Sequence, residues 1–100
     1  MNAPIVEFDP EKSRKIRKER GLGFEELVTL IEGNGIVADF PHPNQAAHKG
    51  QDIWYVDVDD YIWSVIHIKK GGTARLITAF PNRKATAVWK KEKHHDHKKK

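Results

Sequence analysis

The chain of 100 residues contains no cysteine and no long hydrophobic run. The absence of cysteine excludes a disulfide framework, a thiolate metal site and a thiol nucleophile. A transmembrane helix needs about 20 predominantly apolar residues, and no segment of this chain approaches that length. The first residues also lack the basic and apolar regions of a signal peptide, so we expect a soluble, cytoplasmic protein of one domain.

Positive charge is concentrated at the two ends of the chain, although the formal net charge is only +4. Residues 1–20 carry six Lys and Arg against four acidic residues, and residues 83–100 carry eight against two. The middle of the chain carries four against eight. Basic ends are typical of proteins that bind a polyanion or an acidic protein, while a solvated surface is the alternative explanation of any lysine-rich segment.

Two helices are predicted near the amino terminus. Asp9 as N-cap, Pro10 at the first helical position and Gly21 after the last turn bound the first helix. Its only apolar residue is Ile16, so this helix is either simply exposed or turned towards phosphates. Residues 24–32 place apolar side chains at the spacing of a second helix that is buried on one side.

Four strands are predicted after the helices, at residues 36–40, 52–58, 61–68 and 73–80, as an antiparallel meander. Residues 5–8 are either a short strand or a hydrophobic staple before the first helix. The predicted sheet has apolar residues on both faces. The two helices can cover one face, while the carboxyl-terminal segment or a second chain must cover the other.

The carboxyl-terminal segment is predicted to form a last helix. This helix spans residues 83 to about 93 and is anchored by Trp89. The HHDHKKK sequence of residues 94–100 predicts a disordered tail. The chain is therefore expected to belong to the α+β class.

The turn between the last two strands decides which side chains share a face. A loop with an even number of residues places Ile66 opposite Arg75 and mixes polar with apolar side chains on both faces. A three-residue loop at residues 70–72 instead pairs Ile66 with Leu76 and creates one apolar face. We therefore expect the three-residue loop, which also places His67 beside Arg75 on the opposite face.

Histidines occur in the loop before the second predicted strand and in the tail. His42 and His48 have no cysteine or carboxylate at ligand spacing, so we expect exposed side chains rather than metal ligands. The tail histidines lie on no rigid element that could hold a metal ion. The sequence thus predicts neither a metal site nor a cofactor.

Three segments of the chain carry a resemblance to a known family. They are FDPEKSRKIRKERGLGFEELVTLIE at residues 8–32, HPNQ at 42–45 and IHIKKGGTARLITAFPNRKAT at 66–86. In this order the segments resemble the BrnT-like toxins of bacterial type II toxin-antitoxin systems, which are related to the RelE/ParE superfamily. The resemblance implies a RelE-like α+β fold, with two amino-terminal helices on an antiparallel sheet of about four strands and a carboxyl-terminal helix.

The resemblance also implies a function. Such toxins are metal-independent endoribonucleases that cleave RNA to inhibit translation and growth. Each is neutralised by a cognate antitoxin, commonly with a ribbon-helix-helix part, and reaches operator DNA through the antitoxin complex. Two other functions are open: a catalytically silent module for antitoxin binding and co-repression, and a nucleic-acid-binding domain whose affinity falls steeply with salt.

The catalytic residues that the resemblance implies are His67, Arg75 and Arg83. Metal-free RNA cleavage needs a base, an acid and positive charge on the transition state. His67 can serve as base or acid, and the two arginines can stabilise the charge. The RNA-binding candidates are Lys12, Arg17, Arg20, Lys84 and Trp63. Arg20 stands where BrnT-like members usually have a histidine before glycine.

Overall fold

The structure, a computed structural model, describes the backbone of residues 4–98 and the side chains of residues 4–92. In chain order the elements are β1 (Ile5–Glu7), α1 (Pro10–Arg20), α2 (Phe24–Glu32), β2 (Ile36–Pro41), β3 (Gln51–Val58), β4 (Tyr61–Lys70), β5 (Thr73–Pro81) and α3 (Arg83–Lys98). The α+β class is confirmed for the described residues. Helix α3 continues through residues 94–98, which the sequence assigned to the tail, and residues 99–100 lie outside the description.

The strands form one sheet in the order β1-β5-β4-β3-β2. The antiparallel meander of β2 to β5 is confirmed. The expectation of about four antiparallel strands is incomplete, because β1 adds a fifth strand that runs parallel to β5 and pairs Val6 with Ala74. Three residues show too little periodicity to distinguish a strand from a staple, so only the pairing itself decides between them.

The turn between β4 and β5 has two residues, Gly71 and Gly72, and not the three that we expected. Lys70 pairs directly with Thr73 across this turn. The two glycines have φ angles of 56° and 86°. Positive φ at both positions gives the turn a twist that matches the flanking strands, and glycine adopts it without a clash at Cβ.

A bulge in β5 changes the register a few residues beyond this turn. His67 pairs with Leu76, whereas the preceding Ile66 pairs with Thr78, so Ile77 is an additional residue in β5. The structure therefore adopts neither of the two continuous registers considered from the sequence. Beyond the bulge, Ile66 and Ser64 share a face with Thr78 and Phe80. This is the same sharing of faces that a three-residue loop would have produced in that half of the hairpin.

Helices α1 and α2 cover one face of the sheet, which we call the helical face. The helices contribute Ile16, Phe24, Leu27 and Ile31 to its core, and the apolar spacing of α2 predicted the last three. The sheet contributes the residues that define this face: Trp54, Val56, Trp63, Val65, Ala74, Leu76 and Ala79. Burial of these apolar side chains supplies the main favourable term in folding.

Both ends of α1 form as the sequence predicts. The Asp9 side chain accepts a hydrogen bond of 2.9 Å from the Glu11 backbone amide. At the other end, the Gly21 amide donates to the Arg17 carbonyl over 2.8 Å, and Gly21 has a φ of 84°. These bonds satisfy backbone groups that a helix leaves without partners at its ends.

The buried Ser13 joins α1 to the start of α2. Its hydroxyl accepts a hydrogen bond of 2.9 Å from the Phe24 amide and donates to the Glu25 carboxylate. A Cβ at Gly23 would lie 2.9 Å from the Ser13 oxygen and 2.8 Å from the Arg17 guanidinium. Glycine at this junction therefore allows the close approach that caps α2.

The opposite face of the sheet, which we call the open face, carries Ile53, Tyr55, Ile62, Ser64, Ile66 and Phe80. Helix α3 covers only part of it. The Ile62 carbonyl accepts a bond of 2.8 Å from the Asn82 amide, and the Ile62 amide donates over 2.8 Å to the Thr86 hydroxyl. These bonds hold the start of α3 against β4. On the side of the β2–β3 loop, Ile53 and Ile66 are also buried. No helix among residues 4–98 has the length and apolar character needed to cross a membrane.

Candidate functional site

His67 and Arg75 lie on opposite faces of the sheet. His67 pairs with Leu76 on the helical face, while Arg75 pairs with Ile68 on the open face. The expectation that these two side chains are adjacent is wrong, because the two-residue turn shifts the pairing by one residue. Arg75 Nη1 lies 3.3 Å from Glu7 Oε1 in an exposed ion pair.

His67 is a core residue. Its side chain is 0% exposed and stacks on Trp54 with ring centroids 3.8 Å apart. Nδ1 lies 3.0 Å from the Val65 carbonyl and donates to it, while Nε2 has no partner among the described residues. Burial lowers the pKa of His67 below its ordinary value, against the opposing effect of the Val65 carbonyl. A neutral, enclosed imidazole is not accessible to RNA.

An ion pair crosses the sheet near His67. Lys69 Nζ lies 2.8 Å from both carboxylate oxygens of Asp39 and 5.9 Å from the centroid of the Trp54 ring. Partial burial raises the pKa of Asp39, but hydrogen bonds from Lys69 and Trp54 outweigh this effect and lower it overall. These contacts join β2 to β4 across β3, which is a structural role.

Lys12 and Arg20, two of the predicted RNA-binding residues, contact the edge of β5. Strand β1 pairs only as far as Arg75, so the next part of β5 lacks a strand on that side. Lys12 Nζ donates to the Ile77 carbonyl over 3.3 Å, and Arg20 Nη1 donates to the Ala79 carbonyl over 3.2 Å. The basic side chains of α1 thus satisfy carbonyl groups that a sixth strand would otherwise pair.

The other three RNA-binding candidates differ in accessibility. Arg17 bonds to Glu26 over 2.7 Å and to Glu25 over 3.0 Å, and the Glu26 bond raises the pKa of Arg17. Trp63 is 6% exposed in the core, so the prediction that it stacks an RNA base is contradicted by its burial. Lys84 is exposed on α3 and lines a groove beside β2.

A groove of about 640 Å³ lies on the open face beside the β2–β3 loop. We call it the sheet groove. Its apolar lining is Phe40, Ile53, Tyr55, Ile66, Ile77 and Phe80, and its polar lining is His42, His48, Gln51, Ser64, Thr78 and Asn82. The volume lies within the range of about 300–1,000 Å³ that is typical of ligand pockets. Hydrophobic walls with a few polar groups are the usual composition of such sites.

His42 and His48 form one wall of the sheet groove. Their rings are stacked with centroids 4.1 Å apart and an angle of 25° between the planes. Both residues are half-buried, whereas the sequence predicted exposed loop histidines. No group of three or more potential metal ligands was found among the described side chains. The stacked rings place two imidazoles together without the geometry of a metal site.

Side chains of the HPNQ segment hold this loop in place. The Asn44 amide donates to His42 Nδ1 over 3.0 Å, and the His48 amide donates to the Asn44 carbonyl over 2.9 Å. Gln45 Nε2 donates to the His42 and Gln51 carbonyls over 2.8 and 3.1 Å. Asn and Gln that bond to nearby backbone are a signal of a structured turn, and this signal could have identified the histidine pair.

Arg75 and Arg83 do not line the sheet groove, but each lies close in sequence to a residue that does. Arg75 is on the open face of β5. The bulge at Ile77 separates it from Thr78, which lines the groove. Arg83 directly follows the lining residue Asn82, and both arginines are exposed. The structure thus places Arg75 on the open face of the sheet and Arg83 at the first position of α3, whereas His67 lies in the core on the helical face.

Comparisons with models of protein families, with curated proteins and with solved structures give no match for this chain.

Proposed function

We propose that this chain is a toxin of a type II toxin-antitoxin system, an endoribonuclease that cleaves RNA in the sheet groove and is neutralised by a cognate antitoxin. The observation that carries this proposal is the stacked pair of His42 and His48 in the wall of the groove. The resemblance to BrnT-like toxins supports the same function. RNA in the cytoplasm is the substrate, and operator DNA is reached only through the antitoxin, whose DNA-binding part is of the ribbon-helix-helix type.

The two histidines have different roles in this proposal. His42 Nδ1 accepts a hydrogen bond from Asn44, so its ring proton is on Nε2 and is donated to a phosphate oxygen. The ring nitrogens of His48 have no hydrogen-bond partner among the described residues, so this imidazole takes the proton from the ribose 2′-hydroxyl. The 2′-oxygen attacks phosphorus, the bond to the 5′-oxygen breaks, and His48 returns the proton to that leaving oxygen.

The cations and aromatic rings around the groove complete the proposed site. Arg75 and Arg83 stabilise the negative charge that develops on the phosphate oxygens. Phe40 lies edge-on to Tyr55 with ring centroids 4.9 Å apart, and Phe80 lines the same groove. Exposed bases of single-stranded RNA stack on such rings. This arrangement needs no metal ion or cofactor.

Inducible expression in a bacterial host tests this function. We expect the intact chain to stop growth and to degrade total RNA, and His48→Ala to do neither at the same soluble level. Lys49→Ala is the matched control, because it alters the same exposed loop outside the groove lining, and it should behave like the intact chain. Growth arrest and RNA degradation by His48→Ala equal to those of the intact chain would contradict the proposed site.

A catalytically silent binding module is the second candidate function. The specific observation in its favour is that Lys12, Arg17 and Arg20 already make intramolecular bonds, which leaves fewer cations for RNA. In this function the purified chain binds its antitoxin and does not cleave RNA. Unchanged growth and intact RNA at a high soluble level of the intact chain would select this function over the first.

A further inference from the structure

A second groove, of about 380 Å³, lies between the edge strand β2 and helix α3. We call it the β2–α3 groove. Two aliphatic side chains at its rim are exposed. Val37 exposes 44% of its surface and Val88 exposes 57%. Two such side chains beside an apolar groove favour contact with another protein surface over contact with water.

The charges of α3 around this groove follow a simple pattern. Lys84, Val88 and Glu92 recur at every fourth residue and line the groove, so they form one stripe along the helix. Lys84 lies at one end, Glu92 lies at the other, and Val88 is midway. Neither Lys84 nor Glu92 has an ion-pair partner among the described residues. When two copies of this stripe lie antiparallel, the Lys84 end of each faces the Glu92 end of the other, so opposite charges meet.

We propose that a second copy of this chain docks at the β2–α3 groove, with the two α3 helices antiparallel around a two-fold axis at Val88. A rise of about 1.5 Å per residue places each charge about 6 Å from this axis. Lys84 of one copy then lies opposite Glu92 of the other, and symmetry forms this ion pair twice. The two Val88 side chains meet between the pairs and are removed from water together with Val37.

The position of the groove in the fold agrees with a second copy as its occupant. Strand β2 is at the edge of the sheet and has no neighbour on its outer side among the described strands. A chain docked beside it would cover this edge. Without such a cover, the unpaired backbone N–H and C=O groups of β2 can pair with a strand of another molecule. Tyr55 lines both the β2–α3 groove and the sheet groove, so the dimer leaves the proposed RNA site next to its interface. The dimer does not depend on the proposed ribonuclease function.

Charge reversal tests the dimer on the full chain, by sedimentation velocity and by size-exclusion chromatography with light scattering. We expect Lys84→Glu and Glu92→Lys each to replace two attractions by two repulsions and to raise the dissociation constant of the dimer on the order of tenfold or more. An equimolar mixture of the two variants should form heterodimers, because each reversed charge then meets an opposite one. The double variant Lys84→Glu/Glu92→Lys should dimerise by itself for the same reason.

Lys90→Glu is the matched control, because Lys90 is an exposed residue of α3 that does not line the groove. It should leave the dimer intact, and circular dichroism should show that all variants remain folded. The proposal is overturned by an intact chain that is monomeric up to its solubility limit. It is equally overturned by single variants that dimerise as the intact chain does, or by a mixture of them that stays monomeric.

Discussion

The imidazole of His67 stacks on the indole of Trp54 inside the core, with the ring planes 27° apart. This contact belongs to the helical face, where α1 and α2 exclude water. His67, which was predicted to be catalytic, is therefore part of the folded core. Because burial lowers its pKa, protonation of His67 is coupled to folding.

Acid should destabilise the protein through His67. The unfolded side chain has a pKa near 6.5, and burial lowers the pKa of the folded one, so the unfolded state binds the proton more readily. The stability that the neutral ring contributes is fully present above about pH 6.5 and is lost as the pH falls through the folded pKa. Urea unfolding at several pH values from 7 downwards measures this loss as a decrease in the free energy of unfolding.

His67→Leu is the variant that isolates this effect. Leucine removes the titrating group and keeps an apolar side chain in the core, so the free energy of unfolding should change less with pH than in the intact chain. Asp39 and the other carboxylates remain as a common background in both proteins. The same pH dependence in both proteins would contradict the assignment to His67.

The glycine turn of the hairpin should tolerate asparagine and reject valine. Gly71 has a φ of 56°, and a Cβ there would meet nothing within 4 Å, so the cost of a substitution is conformational. Asparagine enters the left-handed region readily, and Gly71→Asn should change the free energy of unfolding by only a few tenths of a kcal/mol. Gly71→Val should lower it by more than about 1 kcal/mol. Equal stability of the two variants in urea unfolding would argue against the two-residue turn.

Ser13 should contribute more to stability than its size suggests. Ser13→Ala leaves the buried Phe24 amide without its acceptor and removes one of the two donors to the Glu25 carboxylate, so we expect a loss of about 1–3 kcal/mol in the free energy of unfolding. The matched control is Thr29→Ala, because the Thr29 hydroxyl bonds to the Glu25 carbonyl at an exposed site. It should change the free energy by about 0.5 kcal/mol or less. A Ser13→Ala protein as stable as the control would contradict the capping role.

Arg75 and Lys12 should differ in their effect on RNA cleavage. Under the proposed function, purified Arg75→Ala should cleave RNA about 100-fold more slowly, because it removes a cation from the transition state. Lys12→Ala should retain the rate, because Lys12 is bonded to the edge of β5. Single-turnover cleavage of a labelled RNA measures both rates, with circular dichroism as the check of folding. Equal losses in the two variants would indicate general electrostatic binding instead of a defined site.

Local signals in the sequence predicted the helices and the strands well. Asp9, Pro10 and Gly21 determine the bounds of α1 through contacts within a few residues, and the structure confirms them. The apolar spacing from Phe24 to Ile31 predicted the buried face of α2, which is also confirmed. Such features depend on neighbours along the chain, so the amino-acid order is sufficient to specify them.

Only the tertiary structure decided which side chains meet. A one-residue difference in the hairpin register moves a side chain to the other face of the sheet, and the glycine turn together with the bulge at Ile77 placed His67 inside and Arg75 outside. The parallel pairing of β1 with β5 likewise depends on contacts between segments that are far apart in the chain. Pairing between distant segments depends on how much apolar surface the whole sheet buries. A local pattern of residues does not contain this information.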